Sequence, residues 1–230
     1  MSGVRVRVIF IDLQREYLTK GRPFYLNNIF PSLNNAKRIL ELARQEAWEI
    51  VHIQHFRNVP DSLIFNRSSE FSGFIKGFEP RSDERYFEKN SFSCYSNPAF
   101  AAFMEESRGE QTYVVGYGTS KCVLATVVDG FNRGHKLIVI SDATYAKAEL
   151  GEGLSEEDMH RVLLATIKSS FANLIITADL CRGFEKEDLL SVEYFRESSV
   201  LGPMACLSWS AIPEAQKPQT QDGASELMKY

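Results

Sequence analysis

Apolar and polar positions form two alternating kinds of block along this chain. Short aliphatic runs with little polar alternation occupy residues 4–12, 49–54, 112–117, 136–141 and 173–178. Strands that are buried on both faces have this pattern. Between these runs, apolar residues recur at helical spacing in residues 33–45, 119–133 and 155–172. Ser155 and Asp158 resemble a helix N-cap pair at the start of the last of these segments.

This order of elements predicts the fold class. Strands that alternate with helices indicate an α/β fold, with a doubly wound, mostly parallel sheet and helices on both faces. Ligands of such sheets bind beyond the carboxyl ends of the strands, where Asp12, His55 and Cys122 all fall. Residues 56–97 are rich in Pro, Gly, Ser and charge. That segment is too long for a simple connection and predicts an active-site cover or an interface arm.

Length and composition favour one hydrophobic core. The chain has 230 residues, of which 44% are apolar, and this content supports a single large domain. The β-α rhythm stops near Arg182, so residues 1–182 are predicted to form the core. Residues 183–230 are predicted to be a C-terminal extension that packs on the core or on a partner subunit.

Charge and targeting signals narrow the functional classes. The formal net charge is −4, with both signs interspersed, so neither nucleic acid nor a membrane is expected as a partner. No apolar run reaches the roughly 18 residues of a membrane span, and the N-terminus lacks the pattern of a signal peptide. The expected location is cytoplasmic. The four cysteines are irregularly spaced and suit free thiols: Cys94, Cys122, Cys181 and Cys206.

Cys122 is the strongest candidate for chemistry. It lies where a strand pattern passes through Gly116-Tyr-Gly118 into a helical pattern, and a helix start favours the thiolate and lowers the pKa of a thiol. The alternative is a buried structural cysteine. A dinucleotide-binding loop is disfavoured, because Lys121 stands where the third glycine of that motif is needed.

Two further residues complete a candidate set. Asp12 ends an apolar strand, where a partly desolvated carboxylate can act as a general base, although an Asp at this position is also a common turn or helix cap. Lys89 lies in Phe87-Glu-Lys-Asn-Ser-Phe-Ser. Taken singly, a lysine in such a segment is most often a solvated surface residue.

The three residues together resemble the isochorismatase-like cysteine hydrolases, which include nicotinamidases and N-carbamoylsarcosine amidases. The resemblance covers roughly residues 5–180. It rests on Ile11-Asp12-Leu13-Gln14, on Lys89 followed by Ser-Phe-Ser, on Gly116-Tyr-Gly-Thr-Ser-Lys-Cys122, and on Val139-Ile-Ser-Asp142-Ala.

The resemblance implies roles for these positions. Asp12, Lys89 and Cys122 correspond to the catalytic triad of the family. The family also carries a non-proline cis peptide before the cysteine, which corresponds to Tyr117–Gly118 here. Backbone N–H groups near Gly118 and Cys122 would bind the oxyanion.

The implied activity is hydrolysis of a C–N bond in a small amide, ureido or carbamoyl compound through an acyl-enzyme on Cys122. The alternatives are a vinyl-ether hydrolase of the isochorismate type, which lacks the cysteine nucleophile, and a binding protein on the same fold. The candidate pocket residues lie near strand ends or in the flanking loops: Gln14, Tyr17, Phe24, His55, Phe92, Tyr117 and Asp142.

No cofactor is expected, and a metal-free site is favoured. The nicotinamidase branch holds a metal with an Asp-Xaa-His pair and another His. The one Asp-Xaa-His of this chain, Asp158-Met159-His160, lies in the helical pattern of residues 155–172 and not at a strand end. His52 and His55 are three residues apart on one strand, so their side chains point to opposite faces and do not share an ion. His52 is predicted to be a packed core residue.

The resemblance also implies self-association. Proteins of this family are commonly dimers or tetramers, and residues 56–97 together with the C-terminal extension offer apolar surface. We therefore expect a homodimer or homotetramer. Light scattering at micromolar concentration should give a multiple of the 26.1 kDa chain mass, and a monomer would contradict this expectation.

Overall fold

A computed structural model describes residues 5–106, 110–148 and 153–185. The strands are β1 (Val6–Ile11), β2 (Glu49–His55), β3 (Arg85–Lys89), β4 (Gln111–Tyr117), β5 (Leu137–Tyr145) and β6 (Asn173–Ile175). The helices are α1 (Arg15–Leu18), α2 (Phe30–Gln45), α3 (Pro98–Glu106), α4 (Leu124–Asn132), α5 (Glu156–Ser170) and α6 (Thr177–Glu185). Short 3₁₀ turns lie at Glu70–Ser72 and Cys94–Ser96, and a π turn at Thr119–Val123 precedes α4.

The six strands form one parallel sheet in the order β3-β2-β1-β4-β5-β6. This architecture confirms the predicted doubly wound α/β fold. The chain runs outward from β1 to β3, then returns to add β4 on the other side of β1. The strand order therefore reverses between β1 and β4, and ligands of open α/β sheets bind at such a point.

Each face of the sheet has its own apolar core, because neighbouring strand residues point to opposite faces. On one face, Val8 and Phe10 pack with Ile39 and Leu40 of α2 and with Leu180 of α6. The other face joins strand residues to α3, α4 and α5 through the buried side chains Ile9, Ile11, Phe100, Val127 and Ile167. Ser155 caps α5 as predicted, because its hydroxyl accepts a hydrogen bond from the Asp158 N–H at 3.0 Å.

The end of β4 approaches the backbone of β1 so closely that only glycine fits at position 116. Gly116 has φ 136°, and a Cβ built there would lie 2.0 Å from the Ile11 carbonyl oxygen. Gly118 has φ 73°, but its Cβ would be close only to the Tyr17 hydroxyl, at 3.0 Å, and would make ordinary contacts with Cys122 at 3.7 and 3.9 Å. The two glycines of the turn therefore serve different purposes: close approach of strands at 116 and a left-handed backbone at 118.

Gly116→Ala should be much more destabilising than Gly118→Ala. The first change forces two backbones apart, whereas the second adds a left-handed Ala that costs about 1–2 kcal/mol. Urea unfolding of the two variants measures the difference. Equal midpoints would show that the close approach of β4 to β1 at position 116 is not required.

Several elements differ from the sequence-based expectation. Helices α1, α3 and α6 were not predicted, and β5 continues beyond residue 141 to Tyr145. The run at residues 173–178 is a strand only as far as Ile175, because α6 begins at Thr177. Strand β3 was not predicted. It is a short edge strand whose first two residues are exposed, so it lacks the apolar run that marks the other strands.

The predicted extension at 183–230 lies outside the described residues, except that 183–185 end α6. Within the residues that the structure describes, no helix combines the length and apolar character that a membrane crossing requires.

Candidate active site

The Lys89 ammonium is the centre of a buried polar cluster. Its Nζ lies 2.9 Å from Asp12 Oδ2, 3.1 Å from Cys122 Sγ, 3.2 Å from His55 Nδ1 and 3.2 Å from the Ser91 carbonyl oxygen. Asp12 is 0% exposed, and Lys89 and Cys122 are each 4% exposed. The structure thus brings the three predicted catalytic residues into direct contact.

Strand ends and turns place these side chains. Asp12 follows β1 with φ 56°, and its N–H donates to the Ile53 carbonyl oxygen at 3.1 Å. A left-handed residue other than glycine stores strain, and such strain is concentrated at functional sites. Lys89 ends β3 opposite His55 of β2 in the parallel register. Cys122 lies in the π turn after β4, and π turns are frequent at functional sites.

The structure corrects the predicted ionisation of Cys122. Burial raises the pKa of its thiol well above the usual value, the Asp12 carboxylate raises it further, and Lys89 only partly opposes these effects. Burial of the sulfur beside a carboxylate thus opposes the effect of the helix start and favours the thiol form of Cys122. Ligand atoms of Asp12 and Cys122 lie within 4.8 Å of each other.

The two basic groups beside the thiol titrate in opposite directions. Burial lowers the pKa of Lys89, but Asp12 and the Cys122 sulfur outweigh it, so the pKa lies above the ordinary value. Burial, followed by the charge of Lys89, lowers the pKa of His55 to about 4. Lys89 is thus the cation of the site and His55 is neutral at physiological pH.

The same cluster bears on metal binding. Ligand atoms of Asp12, His55 and Cys122 all lie within 4.8 Å of one another, and together they are a donor set that Zn²⁺ accepts. The Lys89 ammonium, however, contacts all three at 2.9–3.2 Å. A metal ion at their centre would have to displace a buried cation.

The peptide between Tyr117 and Gly118 differs from the expectation that the resemblance gave. Among the described residues no peptide bond is cis, so the predicted cis bond is wrong. The turn is made instead by positive φ angles at Gly116 and Gly118. The Gly118 carbonyl accepts hydrogen bonds from the Lys121 and Val123 N–H groups at 2.8 and 3.2 Å, which fixes the turn that carries Cys122.

An aromatic wall adjoins the cluster and contains several of the predicted pocket residues. The Tyr17 ring lies 5.8 Å from Phe24, 5.7 Å from Phe65 and 5.4 Å from Tyr117, and Phe65 lies 4.9 Å from His55. Burial and then the neighbouring Cys122 and Asp12 raise the pKa of the Tyr17 hydroxyl. The Tyr17 hydroxyl lies against the turn that carries Cys122, since a Cβ at Gly118 would be 3.0 Å from it.

Phe65 was missed by sequence reasoning, because an apolar residue in a long loop gives no signal. It has φ 48°, and its N–H donates to Glu16 Oε1 at 3.0 Å. Glu16 is itself fully buried and accepts two hydrogen bonds from Arg22, at 2.8 and 2.9 Å. The segment 56–97 thus supplies part of the wall of the site, as well as Lys89.

Of the predicted pocket residues, two use their polar atoms to join backbone segments and one lines an outer groove. The Gln14 amide links β1 to β2, since it donates to the His55 and Ser72 carbonyls and accepts from the His55 N–H. Asp142 caps α6, because its Oδ1 accepts from the N–H and the hydroxyl of Thr177. Phe92 is 54% exposed and lines an outer groove of about 500 Å³ beside Ser120 and Lys121.

His52 is a core residue, as predicted. It is buried, stacks on Phe10 at 5.7 Å, and its Nε2 lies 2.7 Å from Glu84 Oε2. Burial lowers the pKa of His52 despite this carboxylate.

A comparison with protein families identifies the family of this chain. The family model for the isochorismatase domain matches residues 7–179, which contain β2 to β6 and all of β1 except Val6. The chain belongs to the isochorismatase family. This is a family of hydrolases.

The relatives and solved structures that resemble this chain are distant in sequence. An uncharacterised isochorismatase-family protein of Bacillus subtilis, YrdC, is 27% identical over 183 residues, which are 78% of this chain and 96% of that protein. The maleamate amidohydrolase of Pseudomonas putida is 22% identical over 190 residues, 77% of this chain and 85% of that protein. A cysteine hydrolase structure from Pseudomonas syringae superposes with a TM-score of 0.70 at 23% identity, covering 79% of this chain and 93% of that one.

Alkylation should distinguish Cys122 from the other cysteines. Because burial and Asp12 keep Cys122 protonated, its reaction with iodoacetamide should be slow at neutral pH and accelerate as the pH rises. Burial also raises the pKa of the Cys94 thiol, to about 12. Cys94 is 1% exposed against 4% for Cys122, so it should react more slowly still. Peptide mass mapping against residual activity measures both. Activity that persists after Cys122 is fully modified would remove it from the mechanism.

Proposed function

We propose that this protein is a cysteine hydrolase that cleaves a C–N bond in a small amide, ureido or carbamoyl compound through an acyl-enzyme on Cys122. One observation carries the proposal: a single buried ammonium, that of Lys89, contacts both the Asp12 carboxylate and the Cys122 sulfur. The proposed counter-charge is thus within hydrogen-bond reach of both the proposed base and the proposed nucleophile, and ligand atoms of Asp12 and Cys122 lie within 4.8 Å of each other.

The first half of the reaction forms the acyl-enzyme. Asp12 takes the thiol proton as the sulfur attacks the substrate carbonyl carbon, and Lys89 stabilises the anionic sulfur. The tetrahedral oxyanion would accept hydrogen bonds from backbone N–H groups of the turn at Gly118–Cys122. Asp12 then gives its proton to the departing nitrogen, and the C–N bond breaks to leave a thioester.

The second half releases the acid. Asp12 accepts a proton from a water molecule that attacks the thioester carbonyl, and the thiolate leaves and is reprotonated by Asp12. The net charge of Asp12, Lys89 and Cys122 is zero both in the thiol form and after the proton has moved to Asp12. No buried net charge is therefore created by the proton transfer, although the loss of a proton from Cys122 to solvent would create one.

Relatives and the closed site support this choice of substrate class. One relative bears the name maleamate amidohydrolase, and hydrolysis of maleamate breaks an amide C–N bond. The nearly complete burial of Cys122 together with the aromatic wall favours compact substrates over peptides or polymers.

A substrate screen tests the proposal. Small amides, ureas and carbamoyl compounds are offered to the protein, ammonia release is measured, and intact mass is recorded after rapid acid quenching to detect an acyl adduct. Cys122→Ala should abolish both signals. Cys94→Ala is the matched control. Cys94 is also buried, but its sulfur accepts a hydrogen bond from the Thr126 hydroxyl and not from Lys89. It should keep most of the activity.

The alternatives give different results in the same screen. A vinyl-ether hydrolase would act on isochorismate and keep that activity in Cys122→Ala. A binding protein would turn over none of the compounds and form no adduct. Either result would overturn the proposed amide chemistry.

A further inference from the structure

The Lys89 ammonium has more hydrogen-bond acceptors than protons. Asp12, Cys122, His55 and the Ser91 carbonyl all lie within 3.2 Å of its nitrogen. An ammonium has three N–H groups and accepts none. One of the four neighbours is therefore without a full hydrogen bond at any moment, and the identity of that neighbour depends on which groups are charged.

His55 accepts one of these protons in the tautomer that carries its ring proton on Nε2. It is buried beside Lys89 on the neighbouring strand, and its Nδ1 faces the ammonium. A neutral imidazole nitrogen without a proton is an acceptor. The charged groups that act on His55 are Lys89, Asp12 and Arg57, and burial with the charge of Lys89 keeps its pKa low, at about 4.

The Ser91 carbonyl also accepts a hydrogen bond from Lys89, and it stays in place because it is part of the backbone. Two of the three protons are thus committed to groups that do not change charge. The third is shared between Asp12 and Cys122. A neutral thiol is a weak acceptor and a thiolate a strong one, so the third proton serves Asp12 while the thiol is intact and serves Cys122 once its proton has moved to Asp12.

We propose that His55 is a positioning residue. Because it accepts one N–H of Lys89, Asp12 and Cys122 share a single remaining N–H, and the Cys122 thiolate forms only as Asp12 becomes protonated. The proposal rests on the proposed function, since it concerns the same triad. In the step itself, one proton moves from the Cys122 sulfur to the Asp12 carboxylate, and Lys89 turns one N–H from Asp12 to the sulfur. No other group gains or loses a proton.

Loss of the His55 acceptor should therefore make the thiol more acidic and the enzyme slower. With three acceptors for three protons, Lys89 can bond ionised Asp12 and the thiolate together. The thiolate can then form by losing its proton to solvent, while Asp12 stays ionised and lacks the proton that the leaving nitrogen requires.

The test compares two substitutions of nearly equal size. His55→Asn keeps an acceptor atom close to the position of Nδ1, and His55→Leu removes it. For His55→Leu we expect the pH midpoint of Cys122 alkylation by iodoacetamide to fall by about one unit, and kcat to fall roughly tenfold with KM little changed. His55→Asn should restore both towards the values of the native protein.

Two further variants keep the test decisive. In a Lys89→Met background, His55→Leu should leave the alkylation midpoint unchanged, because its effect passes through the ammonium. If the Leu variant is unfolded by circular dichroism, His55→Ala removes the same acceptor with a smaller side chain.

The outcomes separate this inference from the proposed function. An alkylation midpoint that stays or rises in His55→Leu overturns the inference, and so does a change in KM alone, which would make His55 a substrate contact. The alkylation measurement needs no substrate. If no amide is hydrolysed but the midpoint falls as expected, the proposed function fails and the role of His55 stands.

Discussion

Asp12→Asn should lower kcat by about 10²–10⁴-fold, the range for loss of a general acid and base, and should also make Cys122 ionise at lower pH. The two effects have one origin. Asn cannot take the thiol proton or return it to the leaving nitrogen, so both halves of the reaction are slowed. At the same time the carboxylate that raises the pKa of the Cys122 thiol has gone, while Lys89 still favours the thiolate.

Stopped assays and alkylation of the same preparation measure the two effects together. Asn can still accept a hydrogen bond from Lys89, so the geometry of the cluster is largely kept, and circular dichroism checks the fold. A variant that loses turnover but alkylates faster at pH 7 fits the base role. Slower alkylation in Asp12→Asn would mean that Asp12 serves Lys89 as a structural counter-ion and is not the base.

The sequence predicted the sheet and the triad through different kinds of signal. The central strands are apolar on both faces, as β1 and β4 show, so their pattern identified them directly. Strand β3 is at the edge and half-exposed, and its sequence Arg-Tyr-Phe-Glu-Lys resembles a surface loop. Lys89 was nevertheless identified, because the resemblance used the order of motifs along the chain and did not depend on local pattern.

The finer electrostatics could not be read from the sequence. Cys122 was expected to be acidic from its place before a helix, yet the burial of its sulfur and the distance to Asp12 decide the pKa, and both arise only from packing. The cis peptide before Cys122 was likewise inferred from the family. The positive φ angles of Gly116 and Gly118 make the turn without it.

The residues of the pocket could also be predicted only in part from the sequence. Tyr17 and Phe24 were proposed from their place after the first strand, and they do form part of the aromatic wall. Phe65 completes it through a loop whose course depends on the buried Glu16. Gln14 and Asp142 were reasonable candidates by position, but each uses its polar atoms to join backbone segments. Side-chain partners of this kind are set by tertiary contacts that local sequence does not encode.

Lys89→Met should have the opposite effect on the thiol from Asp12→Asn, and a larger effect on the fold. Without the ammonium, nothing offsets burial and Asp12, so the pH midpoint of Cys122 alkylation should rise. Turnover should fall as well, since the anionic sulfur loses its counter-charge. Breaking a buried ion pair by removing one partner costs about 3–5 kcal/mol, which urea unfolding would detect.

The pH dependence of that loss identifies its cause. In Lys89→Met the fully buried Asp12 must either carry an uncompensated charge or be protonated, whereas in the unfolded chain it ionises freely above about pH 4. The folded state then binds more protons than the unfolded state, so the stability of the variant should fall as the pH rises from about 4 to 7. Asp12→Asn combined with Lys89→Met removes both charges and should recover much of the stability at pH 7. If Lys89→Met is equally destabilised at pH 4 and pH 7, its loss reflects packing, and the ion pair at the centre of this site contributes little.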